Sequence, residues 1–138
     1  MIRDVFNIYS NLQAVTVTAD STNTIDQVKA GDAYSSMWLR VRVETAFAGG
    51  TSLAINLLTA DDTAFSVNLV TYPVLATTVL ASLTGDTVLA QFRIPSGMRR
   101  YHKLNYVVVG TMTAGTINAE LVTDVATNRR GTKFGYLG

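Results

Sequence analysis

The segment QFRIPSGMRRYHKLNYVVVG, residues 91–110, decides the fold class, because it contains two strand patterns separated by a turn. Phe92 and Ile94 alternate with polar neighbours, which is the period of a half-buried strand. Pro95-Ser96-Gly97 interrupts this pattern, since proline cannot donate to a strand ladder and glycine tolerates tight turns. The second half alternates again and ends in the apolar run of residues 106–109, which is typical of a central strand. We predict a β-hairpin here, and a hairpin needs further strands to be stable in water.

The rest of the chain supplies those strands. The clearest pattern is MWLRVRVET, residues 37–45, in which the face carrying Trp38, Arg40, Arg42 and Glu44 is expected to meet solvent or an interface. Further strands are predicted at 12–18, 25–28, 52–59, 65–71, 87–94 and 116–124, with a loop at 19–24, while 74–82 fits a loop, a strand or one helical turn. About seven to nine short strands without a helix indicate an all-β antiparallel sandwich, either jelly roll or immunoglobulin-like.

The length of 138 residues favours a single domain. We divide it into an N-terminal arm or short edge strand at 1–11, a core at 12–127 and a C-terminal tail at 128–138. The net charge of +1 gives no electrostatic case for direct nucleic-acid binding, and the absence of cysteine rules out disulfides. Neither a signal peptide nor a membrane-spanning apolar segment is visible, so we expect a protein that is made in the cytoplasm and does not bind membranes.

Catalytic groups are scarce. His102 is the only histidine, lies on the apolar face of a predicted strand, and has no G-x-S-x-G motif to accompany it. Asp61 and Asp62 are adjacent in a turn, where capping of the backbone is favoured over calcium binding because the ligand spacing of a calcium loop is absent. We therefore predict no enzyme activity, no cofactor and no metal site.

Two groups of residues are candidates for contacts with a partner or with another subunit. Arg99, Arg100 and Tyr101 follow the turn and would suit a carboxylate-rich surface, although a solvated rim explains them equally well. We expect Arg100→Glu to leave folding intact and to weaken docking. The tail contributes the second group, which comprises Arg129, Arg130, Phe134 and Tyr136. A frayed terminus is the default for such a tail, but its two aromatic residues favour ordering on a partner.

Four motifs in order resemble one family. Residues 95–106 are similar to the pattern P-x-G-x-x-R-Y-x-x-L-x-Y of the Bbp16-type capsid cement proteins of tailed bacteriophages. Residues 59–65, TADDTAF, resemble the T-x-D-D-x-x-F turn of that family. Ala14-Val15-Thr16 followed by residues 21–26, STNTID, and the segment 113–117, TAGTI, complete the resemblance, which covers residues 12–125.

This resemblance implies a jelly-roll sandwich on the outer surface of the phage head. There the protein would bind the major capsid protein and itself, as a dimer or trimer, without catalytic activity. The alternative is a carbohydrate- or receptor-binding module of a phage particle, in which Trp38, Tyr34, Tyr72 and Tyr101 would form a stacking platform. A small β-sandwich enzyme is the least favoured class, since no acid–base pair is present.

Overall fold

The structure is a computed structural model that describes residues 8–26, 37–95 and 98–122. Within them the chain forms nine strands and one 3-10 turn, Leu80–Ser82, and no α-helix. The strands are β1 (Ile8–Ala14), β2 (Ala19–Asp20), β3 (Ile25–Asp26), β4 (Trp38–Ala48), β5 (Ser52–Ala60), β6 (Val70–Val79), β7 (Val88–Arg93), β8 (Tyr101–Val109) and β9 (Ala114–Val122). The prediction of an all-β protein is confirmed.

The strands build two antiparallel sheets with interleaved order. Sheet A runs β1-β9-β4-β7, and sheet B runs β2-β8-β5-β6, with β3 pairing beside β2 on the same edge of β8. Strands from the two ends of the chain are neighbours in both sheets, and among the described strands only β5 and β6 are consecutive strands that pair directly. This order is that of a jelly roll, so the immunoglobulin-like alternative is wrong.

The predicted hairpin at residues 91–110 is also wrong. Both strands exist, but β7 pairs with β4 in sheet A, whereas β8 pairs with β5 in sheet B. The connection at 94–100 therefore crosses from one sheet to the other. The pattern Pro-Ser-Gly predicts a turn, but it does not specify which strands pair, because pairing is decided by contacts between residues far apart in the sequence.

The core lies between the sheets and follows the predicted alternation. Leu39, Val41 and Val43 of β4 are fully buried, and the intervening side chains face outward. On the opposite sheet Leu104 and Tyr106 of β8 are fully buried. Strands β4 and β8 thus each present one apolar face to the other sheet, as expected for a sandwich.

Other strand boundaries differ from prediction. The first strand begins at Ile8, inside the segment 1–11 assigned to an arm or a short edge strand, and it ends at Ala14, after which the chain bends at residues 16–18. Two residues of the predicted loop at 19–24 pair with β8 as β2. The strand predicted at 65–71 begins only at Val70, and it continues through Pro73. Proline is tolerated there because β6 lies at the edge of its sheet.

The two ends of the sandwich differ in charge. One end, called the charged end, contains seven aspartate, glutamate and arginine residues. It consists of residues 8–9, 25–26, 59–70, 93–95, 98–102 and 120–122. The opposite, neutral end comprises residues 14–18, 48–52, 79–88 and 109–114, where Asp86 is the one charged residue. Backbone hydrogen bonds tie the neutral-end loops together, for example from Met112 N to Thr16 O at 2.8 Å.

Candidate interaction surface

Arg100 holds a short strand against its neighbour at the charged end. Its Nε and Nη2 atoms donate to the two carboxylate oxygens of Asp26, at 2.8 and 3.0 Å. Asp26 belongs to β3, which pairs with the first residues of β8. The guanidinium also lies 4.9 Å from the ring centroid of Tyr101. The hydrogen bond to Asp26 raises the pKa of Arg100, so the pair stays ionised.

The engagement of Arg100 changes the expected result of Arg100→Glu. A glutamate there would face the carboxylate of Asp26 and would repel β3. The variant would therefore disturb the edge of sheet B as well as any docking surface. Arg100→Glu therefore cannot separate a loss of docking from a disturbance of the fold.

The guanidinium of Arg99 is more available for contact with a partner than that of Arg100. Its backbone N–H donates to Thr59 Oγ1 at 2.8 Å, which anchors the main chain to β5 without using the charged group. Its Nη1 lies 3.8 Å from the Asp61 carboxylate, and 41% of the Arg99 side chain is exposed. A loose contact of this kind contributes little to stability, so the charge is free for a partner.

The adjacent aspartates have separate structural roles. Asp62 accepts hydrogen bonds from the backbone N–H of Ser66 and of Val67, at 2.9 and 3.0 Å, and from the Ser66 hydroxyl. These bonds lower the pKa of Asp62, the bond from Val67 most strongly. Asp61 instead accepts a bond from Asn68 Nδ2 at 2.6 Å. The prediction of turn capping is confirmed for Asp62, whereas the Asp61 carboxylate accepts from a side chain of the same loop, and the two carboxylates do not converge on one site.

The loop at 61–69 folds back over the outer face of sheet B. Phe65 is only 7% exposed, and Lys103 Nζ lies 4.3 Å from its ring centroid. Lys103 Nζ also donates to Asp20 of β2 at 2.8 Å. Partial burial acts to raise the pKa of Asp20, but its bonds from Lys103 and Asn105 outweigh that effect, and the pKa is lowered.

His102 is a buried structural residue. Its side chain is fully inaccessible, and its Nδ1 lies 2.6 Å from the hydroxyl of Tyr9, which links the two sheets through the core. A second link joins the hydroxyls of Ser10 and Tyr106, also at 2.6 Å. Burial lowers the pKa of His102 to about 4, against a small opposing effect of Asp26, so the imidazole is neutral at neutral pH. The interpretation of His102 as a buried strand residue is confirmed.

The side chains of Trp38, Arg40, Arg42 and Glu44 lie on the outer face of β4, as predicted. Arg42 contacts Glu44 and donates to Asp86 at 3.0 Å, and the guanidinium of Arg93 lies 5.5 Å from the Trp38 ring centroid. Trp38 lies on sheet A because it is the first residue of β4.

The aromatic residues of the predicted stacking platform are separated. Tyr72 and Tyr101 belong to sheet B, and Tyr72 packs against the core. Trp38 lies on the other sheet, so these three residues form no common platform. Tyr34 lies outside the described residues, as do Arg129, Arg130, Phe134 and Tyr136 of the tail.

Sequence reasoning missed the intramolecular partners of the basic residues. The sequence assigns no role to Asp20 or Asp26, and it places Phe65 at the start of a predicted strand and in the T-x-D-D-x-x-F turn without naming Lys103 as its neighbour. The spacing of a short strand around Asp26 was visible in the sequence, but its pairing with Arg100 joins residues 74 positions apart. In the described part of the chain, no group of three histidine, aspartate or glutamate side chains could hold a metal ion, and no helix is long and apolar enough to cross a membrane.

The fold and the surface together define the class of protein, a jelly-roll β-sandwich with most of the charged residues of its described loops at one end. The family model described as Bbp16 matches residues 9–121, which is most of the chain. The chain belongs to the Bbp16 family, and this membership points to a structural protein of a bacteriophage particle. A comparison with curated proteins gives no match.

Proposed function

We propose that this protein is a capsid cement protein, which binds the outside of the phage head and stabilises contacts between major capsid protein subunits. Membership of the Bbp16 family carries the proposal. A jelly roll with a compact core suits this role, since it provides a rigid body from which loops and terminal segments can reach neighbouring subunits. Many modest contacts that are repeated by symmetry then give strong overall binding.

The charged end is the surface that we assign to docking. Strand β1 starts there at Ile8 and β9 ends there at Val122, so residues 1–7 and 123–138 are attached to this end. The candidate residues Arg99, Arg100 and Tyr101 lie at the same end. Val67 and Leu69, exposed by 49% and 46%, add apolar surface beside them. An apolar centre with arginines around it is a common composition of protein interfaces.

Binding to heads tests the proposal directly. Purified protein is mixed with expanded phage heads that lack it, the heads are sedimented, and the bound copies per capsid subunit are counted on a gel. We expect saturation at a simple stoichiometric ratio. An absence of binding to any head would reject the cement role and would make a glycan-binding screen the next experiment.

Arg99→Glu tests the assigned surface. We expect it to weaken head binding about tenfold or more, because it reverses a charge facing a carboxylate-rich partner. Its effect on the free energy of unfolding should stay within about 1 kcal/mol, since the Arg99 contact to Asp61 is longer and single, unlike the two-bond pair of Arg100, and solvent screens the repulsion that a glutamate would introduce. Thr111→Glu is the matched control, because it introduces the same carboxylate at an exposed position of the neutral end. Equal binding by both variants and the parent protein would exclude Arg99 from the interface.

A further inference from the structure

The described strands leave four sheet edges, and three of them are unsuited to pairing with a further strand. Strand β1 shifts register twice against β9, and β6 shifts twice against β5 and contains Pro73. The edge formed by β2 and β3 consists of two-residue strands. Bulges, proline and short strands are features that prevent an extended chain from adding to a sheet. These three edges are therefore protected.

Strand β7 is the fourth edge, and it is more regular than the others. It contains no proline, and its pairing with β4 is continuous from Ala90 to Arg93. The single register shift in this ladder lies near the start of β7, opposite Arg42. No described strand pairs with the outer side of β7, and no hydrogen bond between described residues joins it to β6, the edge of sheet B on the same side of the sandwich. The backbone of β7 is therefore suited to pairing with an added strand.

The hydrogen-bond pattern shows which main-chain groups of β7 are available. The N–H of Ile94 donates to Met37 O at 3.0 Å. Hydrogen-bonded pairs recur at every second residue of an antiparallel ladder, so Ala90 also directs its main-chain groups to β4, whereas Gln91 and Arg93 direct theirs outward. A fifth strand of sheet A would bond to these two residues. Its side chains opposite Gln91 and Arg93 would lie on the outer face of the sheet, beside theirs.

The outer face at this edge carries two guanidinium groups. Arg93 is exposed, its guanidinium lies 5.5 Å from the Trp38 ring centroid, and the ion pairs between described residues do not include it. Arg40 lies opposite Gln91, and its buried Nε has no hydrogen-bond partner. On the described strands the one acid side by side with these residues is Glu120, which is buried. Carboxylates beside Gln91 and Arg93 would therefore complement the charge of this edge.

The inner side of an added strand would meet apolar side chains. Leu89 of β7 and Tyr72, Val74 and Leu75 of β6 are half-buried and pack against the core along the two edge strands of this side. Successive side chains of a strand point to opposite faces, so a residue between two outward carboxylates points toward these apolar groups. The segment that fits β7 is therefore an extended chain in which acidic and apolar residues alternate.

The chain's own terminal segments do not have this pattern. Residues 125–138 carry Arg129, Arg130 and Lys133 and no acid, and residues 1–7 carry one arginine and one aspartate. We propose that β7 accepts an extended segment of another protein, with alternating acidic and apolar residues, as a fifth strand of sheet A. On a phage head this segment would belong to a capsid protein, so the inference rests on the proposed function for the source of the segment. Strand addition is a common mode of peptide recognition.

A synthetic peptide tests this edge without phage heads. The probe is the end-capped, fluorescein-labelled peptide SVEVEVS, in which the glutamates are placed to lie beside Gln91 and Arg93. Fluorescence anisotropy should give a dissociation constant of about 10 to 100 µM, as expected for a short segment with few contacts. The control peptide SVKVKVS keeps the apolar residues and reverses the charge. It should bind at least about tenfold more weakly.

Hydrogen exchange measured by NMR identifies the mode of binding. At saturating SVEVEVS, the amide N–H groups of Gln91 and Arg93 should exchange about tenfold more slowly or slower still, because each gains a hydrogen-bond acceptor. The amide of Ala90 already bonds to β4, so its exchange should change little. Binding through side chains alone would not produce this alternation.

Substitution of Arg93 tests the charge requirement. Arg93→Glu should raise the dissociation constant of SVEVEVS about tenfold or more, because it places a carboxylate beside those of the peptide. Arg93→Lys keeps the positive charge and should restore most of the binding. Thr111→Glu is the matched control, since it adds the same carboxylate at an exposed position of the neutral end and should bind the peptide as the parent protein does. Circular dichroism verifies that each variant remains folded.

The outcomes separate this inference from the cement role. A failure of SVEVEVS to bind at about 1 mM, or binding that leaves the exchange of Gln91 and Arg93 unchanged, would overturn strand addition at β7 even if heads bind the protein to saturation. Equal binding of SVEVEVS and SVKVKVS would overturn it too, because the arginines would then not select the segment. Binding of SVEVEVS with protection of both amides supports the inference even if no head binds the protein, a result that would reject the cement role alone.

Discussion

At the scale of single residues, the buried polar groups link the two sheets and also make the fold sensitive to acid. The imidazole of His102 and the hydroxyl of Tyr9 share a hydrogen bond inside the core. Burial disfavours the charged imidazole, which is why its pKa lies at about 4. The same burial raises the pKa of Tyr106, against the opposing bond from Ser10. Both side chains therefore stay neutral in the folded protein near neutral pH.

The pKa of His102 predicts a stability change between neutral pH and about pH 5. An unfolded chain protonates His102 near pH 6.5, whereas the folded chain protonates it near pH 4, so stability is complete above 6.5 and is lost as the pH falls through that window. The loss should reach about 2 kcal/mol at pH 5. Urea denaturation at both pH values measures it. Because His102 is the only histidine, the loss should be much smaller in His102→Gln. A parent protein equally stable at both pH values would contradict the assignment.

Gly115 is a residue whose identity is dictated by packing. Its φ is +138°, and a Cβ placed there would overlap the ring of Phe47, a core residue that is only 6% exposed. This glycine lies in TAGTI, one of the motifs that carried the family resemblance. The motif thus encodes a close approach between β9 and the end of β4.

Gly115→Ala should therefore destabilise the protein by about 3 kcal/mol or more, through backbone strain and displacement of Phe47. Gly85→Ala is the control, since the nearest atom to a Cβ there is the Glu44 carbonyl oxygen at 3.5 Å, an ordinary contact. Thermal denaturation of both variants measures the difference. Similar melting temperatures for the two would show that the Phe47 ring can move aside.

At the scale of elements, the loop at 61–69 acts as a cover for the outer face of sheet B. Asp62 fixes the loop through its hydrogen bonds, and Phe65 adopts a φ of +57° and packs beside Lys103. The sequence pattern T-x-D-D-x-x-F is explained by these two roles. The aspartate closes the loop and the phenylalanine buries its ring.

Removal of the Phe65 ring should destabilise the protein. Phe65→Ala should lower the free energy of unfolding by about 2 to 3 kcal/mol, because it exposes the covered face of the sheet. Val67→Ala in the same loop should change it by less than about 0.5 kcal/mol, since Val67 is half exposed. Chemical denaturation of the pair tests whether the loop is a structural cover. Equal effects would mean that Phe65 contributes no more than an exposed side chain.

At the scale of the whole molecule, charge is segregated along the sandwich. The charged end carries the ion pairs of Arg99 and Arg100, whereas the neutral end carries Asp86 alone. The proposed docking surface therefore lies at the charged end, away from the loops of the neutral end. Substitutions at the neutral end should leave docking intact, which is why Thr111→Glu serves as the control for Arg99→Glu.

The sequence alone determined the all-β class, the alternation of β4 and β8, the turn role of Asp62 and the family. These features depend on neighbouring residues, on the period of strands and on turn chemistry, which are local. Only the tertiary structure decided the rest. It separated β7 from β8, carried β6 through Pro73 and paired Arg100 with Asp26. Strand pairing in a jelly roll joins residues far apart in the chain, and these contacts are selected by the packing of the whole core, so no local pattern encodes them.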